Sequence, residues 1–449
     1  MNATEWDENR WRFVLAACVL AAAFIAVRLD QVSGADAGSL DDLDDVYASV
    51  SEGSLVRRAA YLALGIAGVF GLARAGRAPL RLHGALGVTA CALVAWCSLS
   101  VFWSEDPALS FRRTLVFLVV LVAALAAVKQ FSWREIMLLG LVASAAQLAA
   151  SLAAAVAKGT FRPWESGYRF SGLLHPNHEA VNCAVLLLAA FFLAQDARRA
   201  RVPLYLVALT ALGFLALARS RTSLVAAPLA CALACFGTAS RRARLLGILT
   251  AVVAACLGLV IWGGWIADNA DRVVQLGREG ADTVTLVGRV PLWEELLPYA
   301  SQRPWGGYGY NSFWTPARID TLAGSQGWSI SHAHCDYLEV LLGTGFVGLG
   351  LYVAVLGQGI WRATARARAV PEPGASALPA WPWFAAIGGV TEGIGLQSYL
   401  VQFMLISALA YVASRERSAP AGQAFPPDAG RADVRLESET YSTSSGVPR

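Results

Sequence analysis

Charged residues are scarce in this chain. Asp, Glu, Lys and Arg make up only 15% of its 449 residues, whereas 56% are hydrophobic. That composition excludes an ordinary soluble globular domain and predicts a polytopic membrane protein in contact with the lipid bilayer. The formal net charge is only +4, and the basic residues lie in short loops rather than on one face, so nucleic acid is not an expected partner.

A pattern of paired cysteines is also lacking. The chain has eight cysteines, but all except one lie within apolar runs, where a thiol packs as a small hydrophobic group. Only Cys335 has polar neighbours. We therefore expect no disulfide framework and no cysteine-based metal site.

Long apolar runs, by contrast, recur along the whole sequence and predict an all-α polytopic membrane protein. About twelve runs are long enough to cross a bilayer, which takes about 17 to 25 residues. They cover residues 12–29, 59–74, 82–103, 114–128, 135–157, 177–195, 202–218, 222–239, 245–266, 336–361, 379–396 and 398–414.

The runs divide the chain into four regions. Residues 1–266 hold the first nine predicted helices, and residues 336–417 hold the last three. Between them, residues 267–335 form one large outward-facing loop in which short amphipathic helices are expected. The tail at 418–449 is rich in Pro, Ser, Gly and charge, which is typical of a disordered extension.

Positive charge sets the predicted orientation. Arg and Lys recur in alternate loops, near residues 74–81, 129–134, 198–201, 241–244 and 362–368. Such loops face the cytoplasm, so both termini are predicted to be cytoplasmic and the large loop to face the opposite side. The first run is interpreted as an uncleaved helix, because charges of both signs precede it and many similar runs follow.

Cations and histidines nevertheless collect on the predicted outward face. They are Arg169, Arg219, Arg221, Arg289, His332 and His334. Outward arginines run against the positive-inside trend, so their position requires an explanation. For Arg219 and Arg221 the alternative is that the side chains reach lipid headgroups. Arg303 and Arg318 are interpreted as solvated or bound to the scaffold.

His332 and His334 stand two residues apart at the mouth of a predicted helix, beside Asp336. Two interpretations are open. A His-x-His-x-Asp triplet can bind zinc, although no remote fourth ligand is evident. Alternatively, the histidines work without a metal and the arginines bind phosphate through paired, charge-assisted hydrogen bonds.

Two segments of the large loop have recognisable patterns. Residues 285–298 have apolar pairs four apart, such as Leu292 with Leu296, and predict an amphipathic helix that begins near Arg289 and carries Trp293. Residues 304–314 are rich in glycine and aromatics and include Tyr308. Such a backbone can approach a ligand closely, and such rings can stack on sugar faces.

Taken together, these motifs resemble the O-antigen ligase and Wzy-type polysaccharide polymerase superfamily, and within it the exopolysaccharide polymerases of the succinoglycan type. The main motifs are Gly288-Arg289 with Trp293, Gly307-Tyr308-Gly309-Tyr310 with Phe313-Trp314, and His332-Ala333-His334-Cys335-Asp336-Tyr337-Leu338 with Gly345 and Gly348. Three further pieces agree in order, namely Phe102-Trp103-Ser104-Glu105-Asp106-Pro107 with Arg112-Arg113-Thr114, Arg169 with Ser171-Gly172 and His175-Pro176-Asn177, and Ser220-Arg221-Thr222.

The resemblance implies a GT-C-like fold and glycosyl transfer that needs no metal and no cofactor. The donor would be an undecaprenyl-pyrophosphate-linked saccharide at the periplasmic face of the bacterial inner membrane. A polymerase passes this glycan to the next lipid-linked repeat, whereas an O-antigen ligase passes it to lipid A core. Both hypotheses are kept, with the polymerase preferred, and a chain-length regulator and a flippase are the further partners. A non-catalytic transporter is the third hypothesis, but its charges would be expected near helix midpoints.

Carried over by motif, the resemblance makes His334, Arg289 and Arg221 the catalytic residues. His334 would take the acceptor proton, which a neutral imidazole kept so by nearby arginines can do. The two arginines would hold the pyrophosphate. The residues expected to bind substrate are Arg169, His332, Asp336, Tyr308, Trp293 and Arg219.

One residue departs from the family pattern. Cys335 follows His334 where the family commonly has Asn, Ser or Gln, and a cysteine is a weak hydrogen-bond donor. We therefore expect the local orienting role to be lost or to be taken over by Asp336.

Overall fold

Helices make up all the regular secondary structure in the residues that the computed structural model describes, which are 3–29, 54–76, 80–173, 175–249, 289–328, 330–370 and 372–415. The all-α prediction is therefore confirmed. The helices are α1 (Ala3–Leu29), α2 (Leu55–Arg74), α3 (Gly84–Leu99), α4 (Pro107–Gln130), α5 (Trp133–Ala157), α6 (Pro176–Asp196), α7 (Arg201–Leu217), α8 (Arg221–Thr238), α9 (Arg289–Gln302), α10 (Pro316–Gln326), α11 (Asp336–Ala369), α12 (Ala380–Gly388), α13 (Ile394–Gln397) and α14 (Tyr399–Ser414). Residues 241–249 are also helical.

Many of these helices can cross a membrane. In the described part of the chain, 7 helices are long and apolar enough by length and composition, namely α2, α3 with its 3-10 extension to Trp103, α4, α5, α6, α8 and α11. Three shorter apolar stretches of 10–17 residues lie in α1, α7 and α14. The protein is thus a multi-pass membrane protein, as predicted. The predicted span at 245–266 and the tail at 418–449 lie largely or wholly outside the described residues.

Side chains close in sequence cap the N-termini of several of these helices. The Asp106 carboxylate accepts a hydrogen bond from the Leu109 N–H at 2.9 Å, and Pro107 occupies the first turn of α4, where no N–H is needed. Ser132 and Glu135 form a reciprocal capping box at the start of α5. These starts are readable from sequence because each depends on neighbours within four positions.

The longest helix, α11, is broken by the glycine and aromatic segment. Gly345 adopts φ 67° inside α11, which frees backbone groups that the segment 304–309 then satisfies. The N–H of Tyr308 donates to the Leu342 carbonyl at 2.8 Å. A Cβ at Gly307 would lie 2.6 Å from that same carbonyl oxygen. The glycine there therefore permits the close approach of two backbones rather than of a ligand.

The segment 289–335 has a hydrophobic core of its own, which packs against the N-terminal ends of α4 and α11. Its buried members are Leu292, Leu296, Ala300, Tyr308, Phe313, Trp314, Ile319, Leu322, Ile330 and Ala333, together with Leu109, Leu338 and Leu342. The predicted amphipathic helix is thus α9, whose buried face includes Leu292 and Leu296. Residues 285–288 lie outside the described residues.

The predicted span at 379–396 is not one continuous helix. α12 has 9 residues and α13 only 4, with a loop at residues 389–393 between them. The glycines at both ends weaken the helix, and Asp336 provides alternative bonds. Its carboxylate accepts the Gly395 N–H at 2.7 Å and the Leu396 N–H at 3.2 Å, while its own N–H donates to the Gly389 carbonyl at 2.8 Å. The 389–393 loop is therefore attached to the first residue of α11.

Candidate functional site

Several candidate functional residues contact a single buried carboxylate, that of Glu392 in the 389–393 loop. Arg289 donates to its Oε2 at 2.8 Å, and the side-chain amide of Asn177 donates to the same oxygen at 3.1 Å. The Nδ1 atom of His334 lies 3.0 Å from Oε1. The Nε2 atom of His332 lies 3.8 Å from Oε1, too far for a hydrogen bond. We call these five residues the Glu392 cluster.

Apart from His332 and His334, which share one segment, the members of the Glu392 cluster come from different places in the fold. Arg289 is the first residue of α9, and it also donates to the backbone carbonyl of Thr391. Asn177 lies in the first turn of α6 and accepts a hydrogen bond from Arg169 at 3.0 Å. Arg169 in turn donates to the carbonyl of Ala218, which follows α7. The cluster thus joins the segment 289–335, α6 and the link between α7 and α8.

The histidine segment is held by its backbone although it forms no regular element. The Ala333 N–H donates to the buried carboxylate of Glu339 at 2.5 Å, and the Trp293 indole donates to the Ala333 carbonyl at 2.7 Å. The Trp314 indole donates to the same Glu339 carboxylate at 2.9 Å. With the peptide held on both sides, His334 takes a left-handed backbone with φ 51°. Its ring then lies 3.9 Å from that of His332, measured between centroids.

Burial keeps the imidazole of His334 neutral. Its pKa is lowered from 6.5 to about 4, chiefly by desolvation and next by His332, with Arg289 also lowering it and the bond to Glu392 raising it. Burial by itself would raise the pKa of Glu392, but its contacts with the two histidines and the charge of Arg289 hold that pKa well below its usual value. A neutral histidine thus lies beside an ionised carboxylate. The side chain of His334 remains 16% exposed, so a substrate hydroxyl can reach it.

Arg221 is the first residue of α8, and its guanidinium is unpaired. The residue is half-buried, and within the described ranges its guanidinium makes no hydrogen bond and no ion pair. Its neighbour Thr222 shares a hydrogen bond of 2.8 Å with Thr391, which places the start of α8 beside the 389–393 loop. Arg219, two residues earlier, has a left-handed backbone with φ 50° in the link from α7. The unpaired guanidinium of Arg221 therefore adjoins the Glu392 cluster.

Comparison with known proteins finds related sequences. Residues 206–353 match the family model described as O-antigen ligase. The resemblance to the O-antigen ligase family is confirmed. A second match is the exopolysaccharide production protein ExoQ of Rhizobium meliloti (strain 1021), which is 28% identical over 290 residues. That match covers 59% of this chain and 62% of the relative, so less than two thirds of the relative's length is represented.

The O-antigen ligase match contains only part of the Glu392 cluster. It includes Arg289, His332 and His334, together with Arg221, but ends before Glu392, and Asn177 precedes it. The two residues outside the match are those that sequence reasoning missed. Asn177 stands in the His175-Pro176-Asn177 motif without an assigned role, and Glu392 lies within the predicted span at 379–396. A buried charge within a membrane protein is itself a functional signal, and Glu392 carried that signal.

Some residues expected to bind substrate lie elsewhere. Asp336 is fully buried and binds the backbone of residues 395 and 396, so it neither completes a histidine triplet nor orients His334. Of the two expectations for the orienting role, its takeover by Asp336 is not met, because α11 begins at Asp336 and directs the carboxylate into the protein. Tyr308 is 2% exposed, and its hydroxyl donates to the Tyr299 carbonyl at 3.0 Å. Trp293 holds the Ala333 carbonyl, so its indole N–H is already engaged.

The two arginines interpreted as scaffold residues do bind the scaffold. Arg303 forms an ion pair of 2.9 Å with Glu105, and Arg318 pairs with the same carboxylate. The guanidinium carbon of Arg318 lies 4.3 Å from the centre of the Tyr308 ring. These contacts attach the segment 289–335 to the link between α3 and α4. The face of the Tyr308 ring that Arg318 covers is not open to a sugar.

Three groups of the Glu392 cluster also have the chemistry of a metal site. His332, His334 and Glu392 each offer one ligand atom, and in the described part of the chain these atoms lie within 4.8 Å of one another. Two histidines and a glutamate are the ligands of some zinc enzymes. Here, however, Arg289 and Asn177 already donate to the carboxylate, and a guanidinium so near opposes a second, divalent cation. The arrangement is better suited to proton transfer beside a bound anion.

Proposed function

We propose that this protein is a glycosyltransferase that polymerises undecaprenyl-pyrophosphate-linked oligosaccharide repeats in exopolysaccharide or O-antigen synthesis. The reaction takes place at the periplasmic face of the bacterial inner membrane, with both chain termini in the cytoplasm. The observation that carries the proposal is the convergence of a neutral histidine and an arginine on one buried carboxylate, with a second arginine nearby.

The chemistry follows from these groups. The acceptor hydroxyl gives its proton to His334 and its oxygen bonds to the anomeric carbon of the donor. The bond from that carbon to the pyrophosphate oxygen breaks, and the electron pair leaves with the lipid pyrophosphate. Arg221 and Arg289 stabilise the charge that develops there. No metal and no cofactor takes part, because the donor is already activated and arginines replace a cation at the phosphates.

The two versions of this function differ in the acceptor. A relative named for exopolysaccharide production and the Gly-Tyr-Gly-Tyr motif support a polymerase, which passes the glycan to the next lipid-linked repeat. The family name O-antigen ligase supports transfer to lipid A core instead. We favour the polymerase, which acts after a flippase and together with a chain-length regulator.

Deletion of the gene separates the two versions. Without a polymerase, single lipid-linked repeats accumulate on a glycan gel; without a ligase, long undecaprenyl-linked chains accumulate. An assay of purified protein with lipid-linked repeat tests the chemistry directly. We expect product of increasing length, unaffected by a chelator. A chelator that abolishes the product, with activity restored by added metal, would contradict the metal-free mechanism.

A further inference from the structure

Glu392 is fixed relative to His334 although 58 residues separate them in sequence. Asp336 is bonded on both sides of Glu392: its N–H donates to the Gly389 carbonyl in the 389–393 loop, and its carboxylate accepts the N–H of Gly395 in α13. Asp336 follows His334 by two residues and begins α11. Movement of the carboxylate away from the imidazole would therefore break bonds made by fully buried groups, which is costly.

The bonding of Glu392 determines which nitrogen of His334 carries the proton. An ionised carboxylate has acceptor oxygens and no donor, and Glu392 is held ionised by Arg289 at 2.8 Å. The Nδ1 atom of His334 lies 3.0 Å from the other carboxylate oxygen. For that contact to be a hydrogen bond, Nδ1 must carry the hydrogen. The lone pair of the neutral ring is then on Nε2.

We infer that Glu392 is the positioning residue of this site, which holds His334 as the Nδ1–H tautomer so that Nε2 receives the proton of the acceptor hydroxyl. The inference rests on the proposed function for its reaction, but not for its structural content. When Nε2 takes the proton, the ring becomes an imidazolium, and the Glu392 charge stabilises it. A buried carboxylate has the same relation to the catalytic histidine in the serine-protease triad.

The same carboxylate explains how the family's pattern is satisfied in this chain. Cys335 is a weak donor, and Asp336 is bonded to backbone groups, so neither of the two residues after His334 orients its ring. Glu392 orients the ring instead, from 58 residues away in the sequence. It also balances the charge of Arg289, so that a buried guanidinium and a neutral imidazole coexist before any anionic substrate arrives.

The first test measures the tautomer and needs no activity. The chain has five histidines, so ¹⁵N-histidine labelling gives five imidazoles, and loss of one signal pair in His334→Gln assigns His334. In wild-type protein at pH 7 we expect the Nδ1–H tautomer. In Glu392→Gln we expect a mixture that includes the Nε2–H form. A wild-type signal of the Nε2–H tautomer would overturn the inference.

The second test measures transfer of a lipid-linked repeat. Glu392→Gln should lower kcat by about 100-fold, within the range of general-base effects, and Glu392→Asp should recover at least about tenfold of that loss, because it keeps the charge with a shorter reach. The matched control is Glu372→Gln, which also removes a carboxylate from an arginine pair, with 2.7 Å between the partners. It should keep wild-type kcat. Equal losses in Glu392→Gln and Glu372→Gln would overturn the inference.

The two tests separate failure of the inference from failure of the proposed function. If no polymer forms but Glu392→Gln still releases the Nδ1–H tautomer, the positioning role stands and the proposed reaction fails. If Glu392→Gln does not fold, as judged by size exclusion and thermal melting, the wild-type and Glu392→Asp spectra decide. Zinc chloride that removes the Nδ1–H signal and raises activity would make the cluster a metal site and overturn the inference.

Discussion

Two arginine–glutamate pairs lie towards opposite ends of α11, and they differ in what surrounds them. Arg289 and Glu392 meet at 2.8 Å, and Arg366 and Glu372 meet at 2.7 Å. The arginines are similarly buried, at 17% and 14% exposed, but the Glu392 carboxylate is 5% exposed whereas that of Glu372 is 31% exposed. Glu372 has a tyrosine hydroxyl as its further partner, at 3.1 Å. Glu392 has histidines, so the same pair can take part in proton transfer in one place and only hold structure in the other.

The largest effect should come from removing the histidine that distinguishes the two pairs. His334→Ala should lower glycan transfer by about 1,000-fold or more, since general-base catalysis contributes about 10² to 10⁴. The measurement is product formed by purified protein from lipid-linked repeat. His83→Ala is the control, because His83 precedes α3 without a side-chain capping bond. Activity of His334→Ala near that of the control would contradict the base assignment.

Exchange of arginine for lysine should affect the two pairs unequally. Arg289 donates through separate nitrogens to Glu392 and to the Thr391 carbonyl, a fork that a lysine ammonium cannot reproduce. We expect Arg289→Lys to lower kcat/KM by about 10 to 100-fold, which corresponds to one lost charged hydrogen bond. Arg366→Lys should leave kcat/KM within about twofold of wild type, whereas comparable losses would place both pairs in the same structural role.

Acid should stop the reaction at a pH set by His334. The pKa of this group is lowered to about 4, chiefly by burial and next by His332, with Arg289 lowering and Glu392 raising it. A base with a lowered pKa is neutral and active above that value, and becomes protonated as the pH falls through it. A plot of kcat/KM should therefore be flat from about pH 8 to pH 5 and fall below that. A midpoint near the ordinary histidine value of about 6.5 would show that the ring is solvated.

The smallest effect should be on the free energy of unfolding, at the pair formed by Arg366 and Glu372. Burial would raise the pKa of Glu372, but the bond and charge of Arg366 hold it below its usual value. The pair therefore contributes stability above the unfolded pKa, and that contribution is lost as pH falls through the folded one. Because the pair is partly exposed, Glu372→Gln should lower the free energy of unfolding by no more than about 1 kcal/mol. Thermal melting at pH 7 and pH 4 measures it, and the difference from wild type should be smaller at pH 4.

Sequence reasoning located the parts of the site that lie close together along the chain. Arg289, His332 and His334 fall in one segment predicted to face outward, and the family resemblance implies anion binding and proton transfer for them. The structure brings these residues together with Arg169 through Asn177. By contrast, Tyr308 and its aromatic neighbours were interpreted as a sugar-stacking surface, and they form a core. Composition does not distinguish the two, because an aromatic ring serves packing and stacking equally well.

The sequence alone determined the membrane-spanning character of the protein, the positions of most helices and the histidine and arginine motifs, since each depends on composition or on neighbours a few positions apart. Only the tertiary structure decided which carboxylate serves the histidines. Asp336, the neighbour in sequence, is directed inward by the start of α11, and Glu392 comes within 3.0 Å of His334 from 58 residues away. That meeting depends on glycines breaking the helix predicted at 379–396 and on Asp336 bonding the resulting loop. Local periodicity predicts neither the break in that helix nor the bonding of the loop, because both arise from contacts between segments remote in the chain.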